Sequence, residues 1–241
     1  MLKAKNILIF GGDEFLIDEM YPVFKESGAT ITWINSSEII AKSNCKESAL
    51  LFDSIKTVST YEKDLSSLIG DLNSFDGVVF SLSEGNLRPL SMTKPSNTES
   101  LFNVNCASFI ELVRILQKKK KLNLGSSIVA YSSVSSLLGL KTKLAYGVSK
   151  AALNAAIVNL AVELAPKKIR VNGILKGALT IDINHEHVKN MFSVGTDTAG
   201  NSDLGMSTPE ELARLSIFLL SDAVKTMTGS LIKLDGGYSL N

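Results

Sequence analysis

Short runs of β-branched and other apolar residues alternate along this chain with longer stretches in which apolar positions recur at helical spacing. The short runs are Ile7–Phe10, Ile31–Ile34, Val78–Leu82, Ser127–Tyr131, Ile169–Ile174 and Leu231–Leu234. The helical stretches lie near residues 14–27, 62–73, 98–119, 145–164 and 209–221. Such alternation predicts a parallel sheet covered by helices. A further strand with a poorer pattern is expected near Lys56–Val58. The last helix has the clearest start: Thr208 supplies an N-cap, Pro209 the first helical position and Glu211 the returning side chain of a capping box. Residues 181–206 are polar, contain Gly195, Gly200 and Gly205, and lack sustained periodicity, which reads as a mobile flap with at most short helices.

Composition narrows the class. With 45% hydrophobic and 20% charged residues the chain has ample material for a core, and no linker or internal repeat divides residues 1–241, so one domain is expected. Lys and Arg number 25 against 24 Asp and Glu, a formal charge of +1 that gives no reason to expect nucleic acid or an anionic membrane as partner. The basic tract Lys118 to Lys121 reads as a solvated helix end. Two cysteines, Cys45 and Cys106, make no disulfide framework, and no secretory apolar run follows Met1, which points to a reducing cytoplasm. The Ala-rich stretch 151–165 is interrupted by Asn154, Asn159 and Glu163, so no membrane span is expected.

The chemistry centres on Tyr146 and Lys150, four residues apart on a helix and therefore on one face, one turn apart. Tyrosine with an ordinary pKa of about 10 is a poor base near neutrality, and a neighbouring ammonium favours its phenolate. Ser133 follows the run Ser127–Tyr131, at the carboxyl edge where a parallel sheet presents ligand-binding groups.

Over nearly its whole length the sequence resembles the short-chain dehydrogenase/reductase family. Gly125-Ser126-Ser127-Ile128-Val129-Ala130-Tyr131-Ser132-Ser133 is similar to the family's catalytic-serine strand, and Tyr146-Gly147-Val148-Ser149-Lys150-Ala151-Ala152-Leu153 to its active-site helix. Ile169-Arg170-Val171-Asn172-Gly173-Ile174 resembles the next strand, and Thr208 through Tyr238 the family's ending. Val104-Asn105 fits its helix asparagine. The resemblance implies a Rossmann-type doubly wound parallel sheet of seven strands, order 3-2-1-4-5-6-7, with helices on both faces. It implies a catalytic set of Asn105, Ser133, Tyr146 and Lys150. Tyr146 would exchange a proton with the substrate oxygen, Ser133 would hydrogen-bond that oxygen, Lys150 would hold the nicotinamide ribose and favour phenolate, and Asn105 would position a water linking Lys150 to solvent.

The match fails where the cofactor belongs. The family's G-x-x-x-G-x-G loop reads Gly11-Gly12-Asp13-Glu14-Phe15-Leu16-Ile17, so only the first glycine remains; Phe15 and Ile17 add bulk, and Asp13 and Glu14 add carboxylates beside a phosphate site. The acidic residue expected after the second strand is Asn35, which leaves NAD versus NADP open. The family's Asn-Asn-Ala-Gly reads Phe80-Ser81-Leu82-Ser83, and its Pro-Gly reads Lys176-Gly177. Cofactor contacts are thus expected from Gly11, Asn35, Lys150 and Gly177, with weak binding of NAD or NADP. Residues 11–15 also spell the signature of diguanylate cyclases, but only ten residues precede them, too few for such a domain. His185 and His187 flank Glu186 without a third ligand, so no metal is expected.

The expected activity is NAD(P)-dependent reduction of a small carbonyl or oxidation of an alcohol, in the style of the 3-oxoacyl-carrier-protein reductases. The alternative is a cofactor-poor, non-catalytic subunit that binds a small molecule or forms a hetero-oligomer with an active homologue. Ala151, Ala152, Ala155, Ala156 and Ala161 permit close packing of the active-site helix, and the resemblance implies a homodimer or homotetramer with Asp235-Gly236-Gly237 near a subunit contact.

Overall fold

Ile7, Leu8, Ile9 and Phe10 show how the sheet acquires two buried faces. Successive strand residues point to opposite sides. Ile7 and Ile9 pack in one apolar cluster, Leu8 and Phe10 in the other. The structure is a computed structural model, and it describes residues 1–12, 14–34, 65–67, 69–181 and 202–240.

The strands are β1 (Asn6–Phe10), β2 (Thr30–Ile34), β3 (Phe75–Phe80), β4 (Leu122–Ser133), β5 (Arg170–Lys176) and β6 (Leu231–Leu234). They pair parallel throughout, in the order β2-β1-β3-β4-β5-β6. This is the expected doubly wound sheet with six strands among the described residues instead of seven; the edge strand expected near Lys56–Val58 lies outside them. The principal helices are α1 (Glu14–Glu26), α2 (Pro95–Phe102), α3 (Ser108–Lys118), α4 (Leu144–Leu164) and α5 (Pro209–Leu220).

One face of the sheet carries α1 and α5, with Leu16, Ile17, Met20 and Phe24 meeting Leu212, Ile217 and Leu220 over Val79, Val129 and Ile174. The opposite face carries α3 and α4, with Phe109, Leu112 and Leu116 meeting Leu153, Ile157 and Leu164 over Val78, Phe80, Ile128 and Val171. Burial of both faces explains why the strands read as continuous apolar runs.

Two local outcomes differ from the sequence expectation. The helix expected over 98–119 is two helices, α2 and α3, joined by a π-helical turn at Asn103–Ala107. β3 ends at Phe80, leaving Ser81 and Leu82 beyond the strand, whereas β4 runs on to include Ser133. By length and composition Leu144–Lys167 is apolar enough to cross a bilayer, despite Asn154, Asn159 and Glu163. Its place against the sheet accounts for that character, since Leu153, Ile157 and Leu164 fill the core.

α5 starts as expected: Thr208 Oγ1 accepts from Glu211 N at 3.1 Å, and Glu211 Oε2 accepts from Thr208 N at 2.8 Å. Of the expected flap 181–206, residues 182–201 lie outside the described residues. Its base is anchored: Leu179 bridges to Ser207, Leu204 N donates to Gly236 O at 3.1 Å, and Ser202 Oγ donates to Asp235 O at 3.0 Å.

Candidate active site

β4 delivers Ser133 to the carboxyl edge of the sheet, and α4 runs back past it carrying Tyr146 and Lys150. The close fit of these elements depends on Gly147: a Cβ there would lie 2.8 Å from Ser135 O, in the short 3-10 turn Val134–Ser136 that follows the strand. A second link fixes the serine backbone, because Asn154 Nδ2 donates to Ser136 Oγ at 2.7 Å and that hydroxyl donates to Ser133 O at 2.5 Å. Ser133 Oγ accepts from Ser135 N at 3.2 Å, so its own proton is left to donate outward.

Lys150 is 0% exposed. Its Nζ donates to Tyr131 O at 3.2 Å and stands 5.8 Å from the centroid of the Tyr146 ring. Burial pushes its pKa down from 10.5 to about 7; the like charge of Lys176 pushes the same way, and Cys106 opposes them. The shared helix face read from the sequence is therefore real, and the ammonium sits in a setting that disfavours its charge. Tyr146 is half-buried, with its ring beside Gly85, where a Cβ would lie 3.4 Å from Cδ2.

Asn105 is buried in the π-turn and clamps three segments. Its Oδ1 accepts from Glu84 N at 2.8 Å, and its Nδ2 donates to Glu84 O at 2.8 Å and to Ser149 Oγ at 2.9 Å. Ser149 Oγ in turn donates to Tyr146 O at 2.8 Å. The four expected catalytic residues thus come together, through positioning groups the sequence reading passed over: Ser149, Gly147, Asn154 and the Glu84 backbone. The signal for two of them lies inside the Tyr146-Gly147-Val148-Ser149-Lys150 run, in the glycine and serine between the named residues.

The cofactor-side residues are placed differently. Gly11 has a φ of +84°, and a Cβ there would lie 2.4 Å from Leu82 N, so the chain leaving β3 already requires this glycine. Gly177 likewise makes room for the backbone of Asp235, which a Cβ would approach to 3.0 Å. Asp13 and Asn35 lie outside the described residues. Ile17, expected to add bulk toward the phosphates, instead turns into the core at 3% exposure and closes the space beneath Gly12. Phe15 is the outward one, 65% exposed on the first turn of α1.

A dinucleotide fits this donor set at its reactive end, where Tyr146 and Lys150 share a face of α4 and Lys150 bonds the carbonyl two residues before Ser133. At the phosphate end, beside the Gly11-Gly12 turn, Ser81 Oγ is buried and has no hydrogen-bond partner among the described residues, 3.3 Å from the position of a Gly12 Cβ. Trp33 latches this turn, its Nε1 donating to Gly11 O at 3.0 Å, so the sole tryptophan reports on the loop. Phe15→Gly is expected to tighten NADH and NADPH by about 1 to 3 kcal/mol, the scale of a few hydrogen bonds to charged groups. Ile17→Gly is expected instead to destabilise the fold by about 2 to 5 kcal/mol, as loss of a core side chain does. Trp33 fluorescence titration and denaturant unfolding separate the two outcomes.

Comparisons with known proteins show which family and fold this chain is similar to. A family profile described as Enoyl-(Acyl carrier protein) reductase matches residues 23–239. An L-rhamnose 1-dehydrogenase (NAD(P)(+)) from Azotobacter vinelandii is 31% identical over 139 residues, which are 58% of this chain and 54% of that enzyme. A 7alpha-hydroxysteroid dehydrogenase from Escherichia coli is 24% identical over 98% of each chain. Among solved structures, a short chain dehydrogenase family protein from Francisella tularensis matches with a TM-score of 0.81 at 24% identity, covering 98% of this chain and 99% of that one.

Proposed function

Because the chain belongs to the short-chain dehydrogenase/reductase family, we propose that it exchanges hydride between NAD(H) or NADP(H) and a small carbonyl or alcohol substrate. The observation that carries this reading is the placement of Tyr146 and Lys150 on one face of α4, with Lys150 Nζ anchored to the carbonyl of Tyr131 just before Ser133. The bound cofactor supplies or accepts the hydride at the carbonyl carbon. In the reductive direction Tyr146 gives its hydroxyl proton to the substrate oxygen, which Ser133 steadies with a donated hydrogen bond. The phenolate left behind faces the Lys150 ammonium. Lys150 also holds the nicotinamide ribose. Asn105 keeps α4 and the loop after β3 in register, and from the π-turn it would position a water linking Lys150 to solvent.

Titration of the protein with NADH and with NADPH, followed by Trp33 fluorescence, and then a panel of aldehydes and ketones monitored by cofactor absorbance, tests the reading. Saturable quenching with cofactor oxidation is expected. Neither signal would leave the alternative, a cofactor-poor subunit that pairs with an active homologue, which the exposed Phe15 on α1 favours.

Self-association is part of the proposal. Leu144, Val148, Ala151, Ala155, Val158 and Val162 form one exposed stripe along α4, Val162 being 74% exposed. Ala152, Ala156 and Ala161, expected to share that face, pack inward on the core. A second copy docking on the stripe buries it, and light scattering at micromolar concentration is expected to give a dimer or tetramer mass. Val158→Glu with Val162→Glu is expected to yield monomer; a monomeric unmodified protein excludes the interface.

A further inference from the structure

Two lysines reach the carboxyl end of β4 from different elements. Lys150 comes from α4 and bonds Tyr131 O at 3.2 Å. Lys176 is the last residue of β5, in register with Ser133 on the neighbouring strand. Burial lowers the pKa of Lys150 most, and the like charge of Lys176 lowers it further. Among the described residues neither lysine has an ion pair. The nearby acid on the β6 side, Asp235, has both carboxylate oxygens engaged, accepting from Gly237 N at 3.1 Å and Ser239 N at 3.0 Å. Glu84 is held at the site by its backbone, while the residue itself is exposed. The edge that receives substrate therefore carries two lysines with no counter-charge from these groups.

Lys176 also stands where the resembling family has proline, an apolar ring without charge. A half-buried ammonium beside a buried lysine raises the affinity of an anion that reaches it, because charge-assisted hydrogen bonds strengthen as water is withdrawn. Resting on the carbonyl chemistry assigned to Tyr146, we propose that Lys176 is a specificity-determining residue that selects substrates bearing a carboxylate or phosphate near the reacting carbonyl. Lys150 stays tied to Tyr131 O, and Lys176, without a hydrogen-bond partner among the described residues, turns to the anion.

The test uses the full-length protein and matched pairs of short oxo acids and their methyl esters. Binding is measured by saturation-transfer NMR without cofactor, and kcat/KM with NADPH or NADH present. The unmodified protein is expected to prefer at least one acid over its ester by tenfold or more in binding. Lys176→Met should cut that ratio about tenfold, equivalent to about 1.4 kcal/mol. Lys176→Glu should reverse it, and Lys176→Arg should keep it. An acid-to-ester ratio equal in the unmodified protein and Lys176→Met overturns the proposal. So does a loss of NADPH affinity in Lys176→Met with the ratio unchanged, which would assign the lysine to a nucleotide phosphate. Lys176-dependent acid binding without turnover supports the anion site while counting against hydride transfer, so the two readings fail separately.

Discussion

Replacing Tyr146 by phenylalanine is expected to lower turnover by about 10²–10⁴-fold, the contribution of a positioned general acid or base. The change removes a hydroxyl and leaves the ring, which still packs beside Gly85 and under the Lys150 ammonium. Cofactor affinity, read from Trp33 fluorescence, should change little, so the loss belongs to the chemical step. Near-normal turnover in Tyr146→Phe would remove Tyr146 from the reaction and, with it, the main support for the oxidoreductase reading.

Lys150→Met is expected to raise the stability of the folded chain by several kcal/mol at pH 6 while destroying activity. The folded-state pKa of Lys150 is depressed from 10.5 to about 7. Below pH 7 the amine is protonated in both states, and the folded chain bears the full cost of burying that charge, on the order of 5 kcal/mol. Between pH 7 and 10.5 the unfolded chain holds more protons than the folded one, so the stability of the unmodified protein rises with pH across that window. Above 10.5 the amine is neutral in both states and the cost is gone. Methionine has no such dependence, and it leaves only the Tyr131 carbonyl unpaired, about 1 to 3 kcal/mol. The methionine variant's advantage in denaturant midpoint should therefore be largest below pH 7, shrink as pH rises and reverse toward pH 10.5, where the unmodified protein keeps the hydrogen bond to the Tyr131 carbonyl without the charge cost. A constant difference across that range would mean that the lysine is not buried as a charge.

The parts of the fold legible in the sequence were those set by local spacing. The strands could be read because burial on both faces makes them continuously apolar, and the Tyr146–Lys150 pair because four residues make one helical turn. The π-turn at Asn103–Ala107 was not legible: it shifts the hydrogen-bond register by one residue without interrupting the apolar pattern on either side. Gly11 and Gly177 were read as cofactor positions, and the structure shows what else demands them, namely chain segments from Leu82 and Asp235 that are remote in sequence. Ile17 is a different case. Leu16, Ile17, Met20 and Phe24 share the buried face of α1, and that phase was present in the sequence. The glycine pattern marks which residue is absent, whereas the apolar phase of α1 sets where its replacement points.

Asn105 pairs with both backbone groups of Glu84 as a neighbouring strand would, while its other amide hydrogen holds the serine that bonds the Tyr146 carbonyl. One side chain is thus the common joint of three segments that the sequence keeps apart: the loop after β3, the π-turn, and α4. The loop cannot slide without tilting the tyrosine, and α4 cannot turn without dragging the loop. Geometry at this site is inherited as a set, so drift in any one segment is either corrected through this amide or felt at once at the proton donor.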